Sequence, residues 1–296
     1  MAIIDSIPNY RRALKRKNYS PHTVKTYMHS IKLFVLWVDV PLEEVTHEKI
    51  EQYIDSLMYK RLKPKTVNCH VAVIRLFYDY LIRREGLKIT NPVKKGDRQR
   101  LPKPLPKHLK EEEVDVLFSA MKSQRDRAMF RIMLRCGLRV EEVANLTIKA
   151  LDLKRRKIYI HNGKGGKNRV VLISNDAYLA LVQYLKTRSS SKVKKVFLVE
   201  KGTYKGKPIS VRGIQKRIEY YSRKTGVKAS CHQLRHTMAT DLLNADAELV
   251  TIQDLLGHSR LGTTQRYWQV SNLKVQRDYH KAMEVVLQGA ARDPTQ

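Results

Sequence analysis

The sequence predicts a mainly α-helical fold with one small β-hairpin, divided into a helical N-terminal domain and a mixed α/β C-terminal domain. Three observations carry that expectation. Apolar residues recur at three- and four-residue steps through most of the chain, the spacing of helices with one buried face. The period changes between Lys157 and Ser174, where two β-rich runs flank a glycine-studded turn. A stretch rich in proline and basic residues separates the halves, a composition that keeps a linker extended. The expected boundaries are 1–92 for the first domain, 93–107 for the linker and 108–296 for the second. A chain of 296 residues is long enough for two such cores.

Four helices are expected in the first domain. A short one lies around Tyr10 to Arg16. Ser20-Pro21 starts the second, with serine as cap and proline in the first turn, and Val24, Tyr27, Met28, Ile31, Phe34, Val35 and Val38 mark its buried face. A third begins near Thr46 and buries Ile50, Tyr53, Ile54 and Leu57. Pro64 opens the fourth, with Val67, Val71, Ile74, Phe77, Tyr78 and Leu81 inward and Gly86 past its end. In the second domain, Glu111-Glu112-Glu113 opens a helix at the end that favours negative charge. Helical spacing returns through Met129, Ile132, Met133 and Cys136 and stops at Gly137. Lys157–Ile160 and Arg169–Ile173 are the hairpin strands. Residues 176–187 and 211–224 read as helices, Val196–Val199 as a short strand, and 272–287 as a tail helix.

Charge narrows the function classes. The formal net charge is +30, from 58 Lys and Arg against 28 Asp and Glu, and a compact body so unbalanced calls for a polyanionic partner. No apolar run approaches the roughly 20 residues that span a bilayer, and Met1-Ala2-Ile3-Ile4-Asp5 lacks the pattern of a signal peptide. The positive charge is therefore expected to face nucleic acid in the cytoplasm, not a membrane. Lys94, Lys95, Arg98 and Arg100 on the linker, Lys25 and Lys65 on the first domain, and Arg212 and Lys216 on the second are the candidate phosphate contacts. Cys69, Cys136 and Cys231 are too dispersed for a disulfide framework or a metal site.

The residues richest in chemistry lie between Cys231 and Tyr267. His232, Arg235, His236, His258 and Tyr267 stand there among apolar residues of helical spacing. Such a set can hold a phosphodiester, withdraw a proton from a phenol and let the phenolate attack. Upstream, Gly137 ends one helix and Arg139 sits where the next begins, a donor fork beside free backbone amides. Lys164 stands between glycines at the hairpin tip. Plainer readings stay open for each: a structural ion pair for Arg139, an exposed turn lysine for Lys164, a satisfied histidine for His236, a core tyrosine for Tyr267. His232 and His236 share the spacing of zinc ligands, but Gln233 stands where a metalloprotease needs glutamate. The glycine turn is not a nucleotide-binding loop, since no Ser or Thr follows Lys167. No metal or cofactor is expected.

His232-x-x-Arg235-His236, then Leu256-Gly257-His258, then Thr263-Thr264-x-x-Tyr267, in that order, resembles the signature of the tyrosine recombinase/integrase family, and most closely its Xer-like members. Gly137-Leu138-Arg139, the Gly163-Lys164-Gly165 turn, and Thr23, Tyr27, Thr66 and Arg75–Tyr78 in the first domain extend the likeness over nearly the whole chain. Trp268, Met238 and Asp241 depart from the common Thr, Phe and His. The resemblance implies an N-terminal four-helix core-binding domain and a catalytic domain that clamp DNA between them. It implies Tyr267 as nucleophile, His232 as base, Arg139, Arg235 and His258 on the phosphate, and Lys164 as acid, with Lys167 the alternative lysine. Glu142 matches the family's acidic position. The implied partners are double-stranded DNA with an inverted-repeat core site and further recombinase copies, as a homo-tetramer or a hetero-tetramer with a related recombinase, passing through a Holliday junction. A topoisomerase or telomere resolvase would share this chemistry, and an inactive DNA-binding protein would share the fold. The tail helix, 272–287, is expected to dock either on its own domain or into a neighbouring subunit.

Overall fold

The computed structural model describes residues 6–102, 107–160, 168–189 and 192–257, together with residue 283. The chain divides into two compact units, Met1–Lys103 and Pro104–Gln296. Lys164, Lys167, His258 and Tyr267, with nearly all of the expected tail helix, lie outside the described residues.

The first unit holds helices α1 (Ser6–Arg16), α2 (Pro21–Trp37), α3 (His47–Tyr59) and α4 (Pro64–Arg84). Their starts follow from local chemistry. The Ser20 hydroxyl accepts from the Thr23 N–H and the Thr46 hydroxyl from the Lys49 N–H, each satisfying a donor that the first turn leaves over. Pro21 and Pro64 occupy first positions where no N–H is needed. The inward faces meet in one core containing Tyr10, Phe34, Tyr53, Phe77 and Tyr78. Polar atoms that enter it find partners: Tyr53 Oη lies 3.0 Å from His70 Nδ1, and Tyr78 donates to the Leu42 carbonyl at 2.8 Å.

The start of the expected linker differs from an extended strand. Val93 is 4% exposed within the core of the first unit. Lys95–Asp97 forms a 3-10 turn, and the Lys94 N–H donates to the Asp97 carboxylate. Asn68 on α4 then binds Gln99 twice, donating to its carbonyl and accepting from its N–H, both at 2.8 Å. A side-chain amide here does the work of a neighbouring strand. The composition could not show this, because the partner lies a helix away in sequence. Lys94, Lys95, Arg98 and Arg100 remain exposed on this anchored path.

The second unit contains α5 (Glu111–Ser119), α6 (Gln124–Cys136), α7 (Val140–Asn145), strands β1 (Leu151–Asp152), β2 (Lys157–Ile160) and β3 (Arg169–Leu172), and then α8 (Asn175–Thr187), α9 (Val211–Thr225), α10 (Cys231–Asn244) and α11 (Leu249–Leu256). The sheet is antiparallel in the order β1-β2-β3, so β1 adds a short edge to the expected hairpin. Ile158 pairs with Val171, and both face the core. Val196–Val199 forms isolated bridges instead of a strand, Leu198 with Pro208 and neighbouring Lys195 with Thr147. Buried α6 runs through the main core and packs against α8 and α10. A smaller core of Met238, Ala239, Leu243, Ile252 and Leu256 joins α10 to α11. Among the described residues, no helix is long and apolar enough to cross a membrane.

Candidate active site

Three separate pieces of sequence meet at the C-terminal end of α11. The first is the turn from α6 into α7. Gly137 closes α6 in the left-handed region at φ +64°, which an L side chain adopts only at a cost. A Cβ there would also sit 2.6 Å from Met238 Sδ. The turn sets Arg139 at the cap of α7, where its N–H donates to Glu142 Oε2 at 2.7 Å and its Nη1 to Glu142 Oε1 at 2.9 Å. Arg139 Nη2 reaches across to the Gly257 carbonyl at 3.1 Å. These two side-chain contacts leave a guanidinium with further N–H donors, and its side chain is 24% exposed.

The second piece is α10. Ser230 caps it by accepting from the Gln233 N–H. Arg235, one turn in, is only 2% exposed, a state a charged side chain tolerates when fully hydrogen-bonded. Its Nη1 donates to the Gly137 carbonyl and its Nη2 to the Leu256 carbonyl. His232 is exposed in the first turn, and its ring meets that of His236 edge to face, centroids 4.1 Å apart. The spacing that resembles zinc ligands therefore gives a ring contact. Among the described residues no group of His, Cys, Asp or Glu stands ready to hold a metal ion.

The third piece is β3, whose first residue, Arg169, sequence reasoning passed over as part of a strand. Its Nη1 and Nη2 take both Glu142 oxygens, at 2.7 and 2.8 Å, and its Nε donates to the Leu255 carbonyl at 3.0 Å. The only sequence signal was an arginine opening the strand just after the glycine turn. Burial on its own would raise the Glu142 carboxyl, but the Arg169 fork, the Arg139 N–H and both positive charges outweigh it and hold the group at about 2.

Leu255, Leu256 and Gly257 thus each offer a carbonyl to a different arginine: 169, 235 and 139. A helix leaves its last carbonyls without internal partners and carries partial negative charge there, so three guanidiniums cap it well. The next residue in the chain is His258. The arrangement gathers Arg139 and Arg235 at one helix end, where oxyanions would find fixed donors, and His232 stands one turn before Arg235 on α10.

The phosphate-contact candidates are surface residues of the two units. Lys25, Lys65, Arg212 and Lys216 are all exposed. Lys216 borders an open cleft of about 710 Å³ beside α9, shared with Lys122, Lys201, Arg217 and Lys224. Arg217 is partly committed, donating to Asp126 at 2.7 Å.

A family model described as the phage integrase family matches residues 107–274, and one described as the phage integrase N-terminal SAM-like domain matches residues 7–86. The chain belongs to the phage integrase family. Tyrosine recombinase XerC of Bacillus pumilus is 33% identical over 282 residues, which cover 89% of this chain and 90% of that protein. Tyrosine recombinase XerA of Pyrococcus horikoshii is 28% identical, with 96% of each chain covered. The structure of the Tn1549 transposon integrase (residues 82–397, Y379F) in complex with transposon right end DNA superposes with a TM-score of 0.78 over 96% of this chain and all of that one. At 19% identity that likeness speaks for the fold. This member of the integrase family is an Xer-like tyrosine recombinase, a site-specific DNA recombinase, and the topoisomerase, telomere-resolvase and inactive readings are not favoured.

Proposed function

We propose that the chain cuts and rejoins double-stranded DNA at an inverted-repeat core site through a covalent 3′-phosphotyrosyl intermediate, with Tyr267 as nucleophile. The observation that carries this is the meeting of Arg139 and Arg235 at the carbonyls directly before His258, with His232 exposed one turn before Arg235 on α10. A tyrosine hydroxyl ordinarily titrates near 10, so it needs a base, and His232, exposed in the first turn of α10, takes its proton, as an imidazole can near neutral pH. The phenolate attacks phosphorus. The bond to the 5′ oxygen breaks, and Lys164 gives that oxygen a proton. Arg139, Arg235 and His258 hold the non-bridging oxygens as charge builds on them, a kind of donor worth roughly 10² to 10³ in rate each. The phosphotyrosine bond keeps the energy, so the 5′ hydroxyl of another strand can reverse the step and exchange strands without metal or ATP.

Residues 1–92 would serve as the core-binding domain, 93–107 as a basic connection along the duplex and 108–296 as the catalytic domain. Lys25, Lys65, the four linker residues, Arg212 and Lys216 would bind phosphates. Four copies, alone or with a related recombinase, would assemble on two sites in the cytoplasm, with the tail helix docked in the neighbouring subunit. The deciding experiment uses a half-site that the wild-type chain enriches from a random duplex pool, rebuilt as a nicked suicide substrate. Tyr267→Phe should bind it and form no covalent adduct, whereas the wild type forms adducts in excess chelator. An adduct from Tyr267→Phe overturns the assignment.

A further inference from the structure

We propose that Arg169 is a positioning residue for strand cleavage: it occupies the Glu142 carboxylate so that Arg139 keeps its charge for the phosphate, and it fixes the turn that delivers His258. The inference depends on the reading of Arg139 as a phosphate-binding residue.

A carboxylate beside a phosphate-binding arginine is a rival anion. Glu142 accepts from Arg139 at both backbone and side chain, so alone the two would form a neutral pair. Arg169 changes that balance. Its fork takes both Glu142 oxygens in the bidentate geometry that makes arginine–carboxylate pairs strong. Two guanidiniums then stand against one carboxylate, and one positive charge is left over. Exposure shows where it faces: the Arg169 side chain is 9% exposed and that of Glu142 8%, against 24% for Arg139. The buried arginine answers the carboxylate, and the accessible one is free to answer a ligand.

The same side chain joins the pieces mechanically. Arg169 opens β3, directly after the 161–167 segment that carries Lys164, and its Nε holds the Leu255 carbonyl. Gly257 has to be glycine for this to fit. Its φ is +60°, and a Cβ there would lie 2.9 Å from Arg169 Cδ and 3.3 Å from Nε. The strand end nearest Lys164 is thereby tied to the helix end nearest His258, with α7 and Arg139 between them.

A purely structural ion pair would also be buried, so the test separates cleavage from folding and from binding. The full chain is assayed on the enriched half-site, as a nicked suicide duplex, for affinity and for single-turnover adduct rate, with melting temperature in parallel. Arg169→Met should bind within about threefold of wild type yet cleave about 10²-fold more slowly, the scale of a small misplacement of catalytic groups. Adding Glu142→Gln should restore about tenfold of that loss, because it removes the unanswered carboxylate. Arg169→Lys keeps the charge without the fork, and should melt near wild type while cleaving about tenfold more slowly. Wild-type cleavage by Arg169→Lys or Arg169→Met overturns the proposal, as does a deeper defect in the Glu142→Gln double variant. If Arg169→Met fails to fold, Arg169→Lys and its pair with Glu142→Gln decide alone. Arg139→Ala, run alongside, separates the two readings. If it cleaves normally, the role of Arg139 falls and this inference with it; if it is inactive while the Arg169 variants are fast, only this inference falls.

Discussion

Among the described residues, the catalytic unit has two carboxylates with side chains under a tenth exposed, each bracketed by two arginines, and they are built for different ends. Asp126 has a fully buried side chain. Arg125 donates to its Oδ1 through Nε at 2.9 Å and also through Nη2, while Arg217 Nε and the Tyr221 hydroxyl take Oδ2 at 2.7 and 2.9 Å. Burial, with the Asp126 charge beside it, pushes the Tyr221 hydroxyl up to about 12, so it stays a neutral donor. Arg125 also donates to the Leu198 carbonyl, and Arg217, 35% exposed, borders the cleft beside α9. Glu142 has the same formula in a different setting. Its more exposed arginine, Arg139, spends a donor on the Gly257 carbonyl and leads outward. The lesson is that pairing chemistry alone does not identify a site. What distinguishes this one is a helix end whose carbonyls converge on its arginines.

The comparison breaks most visibly when each carboxylate is removed. Asp126→Ala strands the buried Arg125 guanidinium and unpairs the partly exposed one of Arg217, and is expected to cost about 3–5 kcal/mol in urea unfolding of the catalytic unit. Half-site DNA should return no more stability to it than to wild type. Glu142→Gln should cost on the order of 3 kcal/mol at pH 7, since the fall from an ordinary 4.5 to about 2 is worth about 1.4 kcal/mol per pH unit. DNA should return part of this, with a phosphate replacing the missing anion. The sign follows from a depressed folded-state value. The Glu142 contribution is present above about 4.5 and is lost as pH falls toward 2, so the gap between wild type and Glu142→Gln should close over that window. A gap that stays constant down to pH 2, or equal DNA rescue of both variants, would erase the distinction.

Smaller effects should sharpen it. Gly137→Ala and Gly257→Ala each force an L side chain into the left-handed region, about 1–2 kcal/mol. Their consequences should part. Gly137→Ala presses on the thioether of Met238, which can shift, whereas Gly257→Ala presses on the stem of Arg169. Gly257→Ala should therefore show the larger fall in adduct rate at similar melting temperature, and the reverse order would mean that Arg169 tolerates displacement.

The smallest change per residue belongs to the exposed cations. Replacing Lys94, Lys95, Arg98 and Arg100 together should reduce the slope of log affinity against log salt, by about 0.9 for each phosphate no longer neutralised. Sequence preference in the enriched pool should stay the same. A changed preference would show that this segment reads bases.

Much of this was legible beforehand because it depends on neighbours in sequence. Ser20-Pro21, Thr46 and Pro64 specify helix starts through bonds that span a few residues, and the apolar period names the buried faces of α2, α3, α4 and α6. Gly137 before Arg139 announces a turn that sets a guanidinium at a helix cap. The fork of Arg169 on Glu142 could not be read that way, since the partners stand 27 positions apart and β3 gives arginine no special pattern. Nor could Asn68 closing on Gln99, 31 positions away, which turned the start of the linker into part of the first unit. The sequence by itself determined the elements, the excess of positive charge and the types of residue at the centre, because propensity, capping and periodicity are local. Only the tertiary structure decided which carbonyl each arginine holds and which arginines answer each carboxylate. Those choices depend on where distant helices end once their apolar faces are packed.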